Sequence, residues 1–262
     1  MKKRIIYCRC IYSEILSKQS RELFQTVLDS SQYNITTVDD LCSLAAKKDS
    51  KLINLLEEEN LTLIACHPRA VKWLLSSAGV GIDQLKTIRY FNLMKQPMLE
   101  ILEKIDVKVP QEYRDKIEGI EPPLKDQKTD NRDDLSTLEK NYALQHNKES
   151  SRPWFPVIDY SKCTNCGACM DFCLFGVYEK REDGSIEVKT PFNCKDNCPA
   201  CARICPHNAI IFPKYDKAPV NGDMDEYTNN TPHKTPIFAL SGDELYKALS
   251  KRNKKNSKKL YK

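Results

Sequence analysis

The first part of the chain alternates short apolar runs with amphipathic stretches. Ile5, Ile6 and Tyr7 head a run from Arg4 to Cys10, and Tyr33 to Val38, Leu61 to Cys66 and Thr87 to Phe91 form three more. Their length and their β-branched and aromatic content predict strands. Between them apolar residues recur at helical spacing. Ser13 reads as the N-cap of a helix bearing Ile15, Leu16, Leu23, Phe24, Val27 and Leu28, which runs to Ser30. Asp39 and Asp40 open one helical stretch carrying Leu41, Leu44, Ala45, Leu52, Ile53, Leu55 and Leu56. Ala70 to Leu75 predicts a third helix, punctuated by Gly79 and Gly81, and Met98 to Ile105 a closing one. Strands alternating with helices of this length imply crossover connections, so residues 1–106 are expected to form an α/β domain. Its parallel sheet would carry helices on both faces.

The pattern then changes. Pro110, Pro122, Pro123 and the charged run from Lys125 to Asp134 break any long period, so residues 107–152 read as a polar connection with a short helix over Leu135 to Leu144. Residues 153–220 read as a second, α+β domain. Trp154 and Phe155 would pack on it, Val157 and Ile158 would start its sheet, and Ala209 to Phe212 would be another strand. Val177 to Glu179 and Ile186 to Val188 flank Asp183-Gly184, a hairpin signal. Residues 221–262 read as a peripheral segment, with a last helix from Ser241 and a basic tail.

Composition narrows the chemistry. Mean hydropathy is −0.56, and no apolar run has the length of a membrane span. Arg9 interrupts the apolar start, so no signal peptide is expected and the reading is cytoplasmic. Twelve cysteines without an export signal point to metal ligation in a reducing compartment rather than to disulfides. The net charge of +5 is concentrated in the tail, where Lys251, Arg252, Lys254, Lys255, Lys258, Lys259 and Lys262 crowd together. No nucleic-acid-binding motif accompanies that run, which reads as a solvated tail able to steer an acidic partner.

Eight cysteines fall into two runs. Cys163, Cys166, Cys169 and Cys173 are spaced C-x2-C-x2-C-x3-C, and Cys194, Cys198, Cys201 and Cys205 are spaced C-x3-C-x2-C-x3-C-P. Three thiolates from one tight loop and a fourth from elsewhere suit a cubane [4Fe–4S] cluster, whereas zinc motifs pair two short hooks. Zinc and plain buried cysteines are the competing readings. The stretch from Asp159 to Phe212 resembles the bacterial-type two-[4Fe–4S] ferredoxin domain. It departs in having Leu174 after Cys173 where proline is usual, and one extra residue between Cys194 and Cys198. The resemblance implies two clusters whose fourth ligands cross over. Cys163, Cys166, Cys169 and Cys205 would hold one, and Cys194, Cys198, Cys201 and Cys173 the other. Phe175, Val177, Ile204, Ile210, Ile211 and Phe212 would form their dry shell.

Cys8, Cys10, Cys42 and Cys66 remain. The expected topology gathers them at the carboxyl edge of the parallel sheet, where α/β proteins bind ligands. They could hold a third [4Fe–4S] cluster, act as a dithiol or zinc site, or be unligated core cysteines. His67 reads as a cap of the following helix rather than a ligand. Cys8-Arg9-Cys10, Leu41-Cys42-Ser43 and Ala65-Cys66-His67-Pro68-Arg69 resemble the N-terminal iron–sulfur domain of the flavin-carrying heterodisulfide reductase family. That resemblance implies that these four cysteines ligate an additional cluster. Members of that family continue into a flavin domain opened by a glycine-rich loop. Here no G-x-G-x-x-G follows a predicted strand and the chain has eight glycines, so no flavin is expected.

These readings converge on an electron-transfer subunit of a redox complex rather than a stand-alone enzyme. Its partner would be a flavoprotein or a ferredoxin-dependent oxidoreductase. The alternative is a thiol- or disulfide-active redox enzyme subunit using the N-terminal cysteines.

Overall fold

The computed structural model describes residues 4–11, 17–56, 60–118, 120 and 153–224. The Ser13 cap, the helices expected over Leu135 to Leu144 and from Ser241, and the basic tail lie outside these residues.

The four apolar runs of the first domain form β1 (Arg4–Cys8), β2 (Asn34–Val38), β3 (Leu61–Ala65) and β4 (Arg89–Asn92). They pair in the order β2-β1-β3-β4, and every pairing is parallel. The crossovers and the segment after β4 supply α1 (Lys18–Asp29), α2 (Leu41–Ala46), α3 (Ser50–Leu56), α4 (Pro68–Ser77), α5 (Ile82–Thr87), α6 (Met98–Lys104) and α7 (Gln111–Glu118). Successive strand side chains point to opposite faces, and the two cores follow that rule. Ile6, Cys8, Leu61, Leu63 and Ala65 pack with residues of α2, α3, α4 and α5. Ile5, Tyr7, Ile64 and Phe91 pack with residues of α1, α6 and α7. The sheet is therefore covered on both faces, as its near-continuous apolar strands require.

Two elements differ from the sequence pattern. Ser17 caps α1, its side chain accepting from Ser20 N. The single helix expected after Asp40 is two, because the chain turns at Lys48, whose φ is +49°. That break lets Leu41 and Cys42 of α2 and Leu52 and Leu56 of α3 enter one core. Residues 107–118, whose sequence suggested the start of a connection, pack on the first domain instead. Val107 and Ile117 are buried in the core beneath α1. Pro110 suits this by sitting just before α7.

The second domain holds β5 (Val157–Ile158) antiparallel to β8 (Ile210–Ile211), and the hairpin β6 (Tyr178–Lys180) and β7 (Ile186–Val188). Asp183-Gly184 does turn the hairpin, within a longer loop closed by Arg181 N to Ser185 O at 2.8 Å. The β5–β8 ribbon is the wall between domains. Phe155, Val157 and Ile211 face the α/β core. Trp154, Ile158, Ile210 and Phe212 face the second domain's own core. Period-two alternation thus turns Ile211 away from the expected cluster shell, and turns Phe155 from the second domain's core to the α/β core.

Polar contacts seal this wall. Asp159, buried at the end of β5, accepts from Arg69 Nε of α4 at 2.6 Å, and Arg69 Nη2 donates to the Asn208 carbonyl at 2.5 Å. Lys95 pairs with Asp223 at 2.6 Å. The chain after β8 then lies on α4, with Asn221 and Asp223 buried, so this stretch belongs to the interface rather than to a periphery.

Candidate metal centres

The two cysteine runs fold alike. Cys163 and Cys194 each open a loop in which an asparagine stands immediately before the second cysteine in left-handed conformation, Asn165 at φ +56° and Asn197 at φ +57°. Asparagine tolerates that region better than most residues. A short helix follows each loop, α8 (Ala168–Phe172) and α9 (Ala200–Ile204), with the third cysteine as its second residue and the fourth at its C-cap. The extra residue of the second run is absorbed ahead of Asn197, so Cys198, Cys201 and Cys205 repeat the geometry of Cys166, Cys169 and Cys173.

Packing of α8 against α9 brings the runs together across the repeat. Burial raises the pKa of Cys163, with the thiols of Cys205 and Cys166 adding to it. Burial pushes Cys169 up to about 12, and Cys201, Cys205 and Cys163 are its thiol neighbours. Cys194 is likewise pushed up to about 12 by burial, beside Cys201, Cys198 and Cys173. Cys163, Cys166, Cys169 and Cys205 form a first group around one space, Cys194 has Cys201, Cys198 and Cys173 beside it as a second, and Cys169 and Cys201 adjoin between them. The first group lines an open space of about 330 Å³ with Asn165, Ile186, His207, Ala209 and Ile210. Donors are directed at the sulfurs. Asn165 N lies 3.4 Å from Cys163 Sγ, Ala209 N 3.3 Å from Cys205 Sγ, and the buried Tyr178 hydroxyl 3.1 Å from Cys201 Sγ. Among the described residues no three His, Cys, Asp or Glu side chains meet at the spacing of a single-ion site. Soft thiolates around a cavity, with N–H and O–H donors to sulfur, fit an iron–sulfur cluster.

The surroundings differ from the expected shell in one more respect. Val177, Ile210 and Phe212 are buried, but Phe175 is 40% exposed. Phe172 and Leu174 are also exposed beside Cys173, as is Phe192 two residues before Cys194.

The other four cysteines also converge. Cys8 ends β1, Cys10 follows it at φ +49°, Cys42 lies in the first turn of α2, and Cys66 follows β3. The ladder continues past β1 through Arg9 N to Val38 O and Ile11 N to Asp39 O, which turns Cys10 back toward the sheet edge. A side-chain hydrogen bond with Cys10 raises the pKa of Cys8, and burial adds to it. Burial also raises Cys42 and Cys66, and both have Cys10 as a thiol neighbour. Leu41 N lies 3.5 Å from Cys8 Sγ. His67 precedes α4 without a capping side-chain bond, its Nδ1 standing 3.2 Å from Asn92 Nδ2.

An ion pair that sequence reading missed borders these thiols. Asp40 caps α2 by accepting from Ser43 N at 2.7 Å, and its other oxygen accepts from Lys214 Nζ at 2.5 Å. Their side chains are 1% and 3% exposed. Burial opposes the charge of Lys214, but Cys42, Asp40 and Cys10 outweigh it and raise its pKa. Lys214 comes from the second domain, just past β8. A lysine after a strand gives no sequence signal, because only the docked domains bring it to Asp40.

No helix among the described residues is long and apolar enough to cross a membrane. Residues 155–206 match the family of 4Fe–4S dicluster domains. The chain is 36% identical over 138 residues to an uncharacterised ferredoxin of Methanocaldococcus jannaschii, an alignment covering 50% of this chain and 90% of the relative. A second uncharacterised ferredoxin of that organism is 39% identical over 58 residues, covering 21% of this chain and 74% of the relative. Ferredoxin-3 of Nostoc is 40% identical over 68 residues, covering 20% and 69% respectively. With the dicluster family matched over the cysteine-bearing repeat and a ferredoxin relative matched over 90% of its length, the chain belongs to the ferredoxin family of [4Fe–4S] electron-transfer proteins.

Proposed function

We propose that the chain carries three [4Fe–4S] clusters and serves as an electron-transfer subunit of a cytoplasmic redox complex. Cys163, Cys166, Cys169 and Cys205 hold one, Cys173, Cys194, Cys198 and Cys201 the second, and Cys8, Cys10, Cys42 and Cys66 the third. Bound there, a cluster supplies one-electron transfer. The observation that carries the reading is the grouping of thiols: three sets of four, two of them joined across the repeat and one gathered around Cys10.

The residues around each set have their own tasks. Asn165, Ala209, Leu41 and Tyr178 offer hydrogen bonds to sulfur, which stabilise added negative charge. Val177, Ile210 and Phe212 exclude water from the second domain's sets, and Ala65 and Leu41 do so at the sheet edge. The exposed Phe172, Leu174, Phe175 and Phe192 suit a protein partner, such as a flavoprotein or ferredoxin-dependent oxidoreductase, docking beside Cys173 and Cys194. The similarity of the N-terminal motifs to the flavin-carrying heterodisulfide reductase family supports the third site. Use of those thiols as nucleophiles fits less well, because attack needs an accessible sulfur and Cys8, Cys10 and Cys42 are buried.

The test is iron and acid-labile sulfide per chain in anaerobically purified protein, beside the Cys8→Ser/Cys66→Ser variant. About twelve irons falling to about eight is expected. About eight in both would overturn the third site.

A further inference from the structure

We propose that Lys214 and Asp40 form a charge-setting pair for the four-cysteine site of the α/β domain, with the ferredoxin domain delivering the cation. The inference rests on the third-cluster reading given above and goes beyond it by making that site composite. Four thiolates around an iron–sulfur core carry net negative charge in a water-poor setting, where a nearby fixed charge acts with little screening. A buried cation stands beside the site: Lys214, whose ammonium acts on Cys42, Cys10 and Cys66 and whose side chain is 3% exposed. Asp40 stands opposite it, acting on Cys8, Cys42 and Cys66. Two other cations border the site but are engaged away from the sulfurs: Arg21 Nη1 donates to the Cys10 backbone carbonyl at 3.4 Å, and Arg9 pairs with Asp39. A buried pair between domains is costly to desolvate, and the α2 cap uses only one oxygen of Asp40. Its position beside four thiols gives it a use.

Opposite charges make opposite predictions. Removing the lysine charge disfavours the reduced, more negative state, and removing the aspartate charge favours it. The experiment is a potentiometric EPR titration of full-length, anaerobically prepared protein as wild type, Lys214→Gln, Asp40→Asn, the double variant and Lys214→Arg. The relevant signal is the one absent from the Cys8→Ser/Cys66→Ser variant. Lys214→Gln should lower its midpoint by about a tenfold change in the redox equilibrium, ~59 mV for a one-electron couple. Asp40→Asn should raise it, the double variant should return toward wild type, and Lys214→Arg should stay near it. The other signals should stay fixed in all variants. Loss of this cluster in Lys214→Gln, with retention in the double variant and in Lys214→Arg, would equally support a charge-setting role.

Shifts of both single variants in the same direction would mark a merely structural pair and overturn the proposal, as would equal shifts in every signal or none in any. Loss of the cluster in the double variant while Lys214→Arg keeps it would also overturn it. About eight irons in the wild type would instead defeat the third-cluster reading itself, and the pair's role with it. Iron content therefore separates failure of the site from failure of its tuning.

Discussion

Arg69→Met tests whether the two domains are held by a specific buried contact. Methionine keeps an apolar stem of similar length but removes the guanidinium. What remains is the Asp159 carboxylate, 2% exposed and bonded at one oxygen to Ser161 N at 3.0 Å and to Ser161 Oγ at 2.5 Å. The Asn208 carbonyl loses its donor as well. Breaking a buried pair by removing one partner costs about 3–5 kcal/mol. Against this, Arg69 Nη1 is buried without a hydrogen-bond partner, and deleting such a donor recovers about 1–3 kcal/mol. The net expectation is a loss of about 2 kcal/mol, or roughly 0.7–1 M in urea midpoint at an m-value of about 2–3 kcal/mol/M.

Urea unfolding should be followed on the same samples by far-UV circular dichroism and by visible absorption of the clusters. A two-domain protein need not unfold in one step, so both transitions are compared. Wild-type transitions should coincide, and those of Arg69→Met should fall and separate. Adding Asp159→Asn removes the stranded charge, so Arg69→Met/Asp159→Asn should recover about 1–2 kcal/mol relative to Arg69→Met alone. A stability change below about 0.5 kcal/mol for Arg69→Met, or no recovery in the double variant, would refute the reasoning.

Three further outcomes follow from the geometry. Tyr178→Phe removes the hydroxyl 3.1 Å from Cys201 Sγ and should lower one cluster midpoint by ~20–60 mV, read by potentiometric EPR; an unchanged midpoint would count against the bond. Gly222→Ala places a methyl 2.8 Å from Ala70 Cβ and 3.0 Å from its amide nitrogen at φ +97°, and should cost about 2–4 kcal/mol in urea unfolding. A loss under about 1 kcal/mol would mean that α4 yields easily at that point. Metal-free protein should lose stability in alkali. Burial raises the folded-state pKa of Cys169 and Cys194 to about 12 and of Cys201 to about 11, above an unfolded thiol near ~8.5. Their contribution is whole below pH ~8.5 and is lost as pH rises toward the folded values, so the urea midpoint should fall between pH 8 and pH 11. A flat or rising midpoint would contradict that sign.

Much of this architecture is legible in local pattern. Ile5-Ile6-Tyr7 and Leu61-Thr62-Leu63-Ile64 read as strands because a sheet covered on both faces needs apolar residues on both sides of the strand. The carboxyl-edge position of Cys8, Cys10, Cys42 and Cys66 follows from strand order alone. The duplication of the cysteine run is plain from its spacing, although the short helices α8 and α9 within it are not. What escaped depends on partners distant in sequence. Lys48 breaks a continuous helical pattern because Leu52 and Leu56 must reach the same core as Leu41. Val107 and Ile117 are buried only once α1 is in place. Ile211 looks like a neighbour of Ile210 but faces another domain, because a two-stranded ribbon has two sides and the sequence of one strand does not say what covers each. Lys214 and Arg69 carry no motif, and their significance lies wholly in what faces them.

The contacts at Arg69 also bear on how the domains communicate. The Asp159 carboxylate receives its guanidinium while the Asp159 carbonyl accepts from Cys163 N at 2.9 Å. The same guanidinium bonds the Asn208 carbonyl, and the next residue, Ala209, donates to Cys205 Sγ. One side chain of the α/β domain thus holds both strand ends from which Cys163 and Cys205 emerge. Cys194 also packs against the α/β core, but by apolar contact and not through the Arg69 guanidinium. If that connection is mechanical as well as stabilising, Arg69→Met should broaden or shift the EPR signal of the set containing Cys163 and Cys205 at urea concentrations too low to unfold either domain. The signal of the set containing Cys173 and Cys194 should remain unchanged. Equal disturbance of both signals would mean that the ribbon merely separates the domains and transmits nothing selectively.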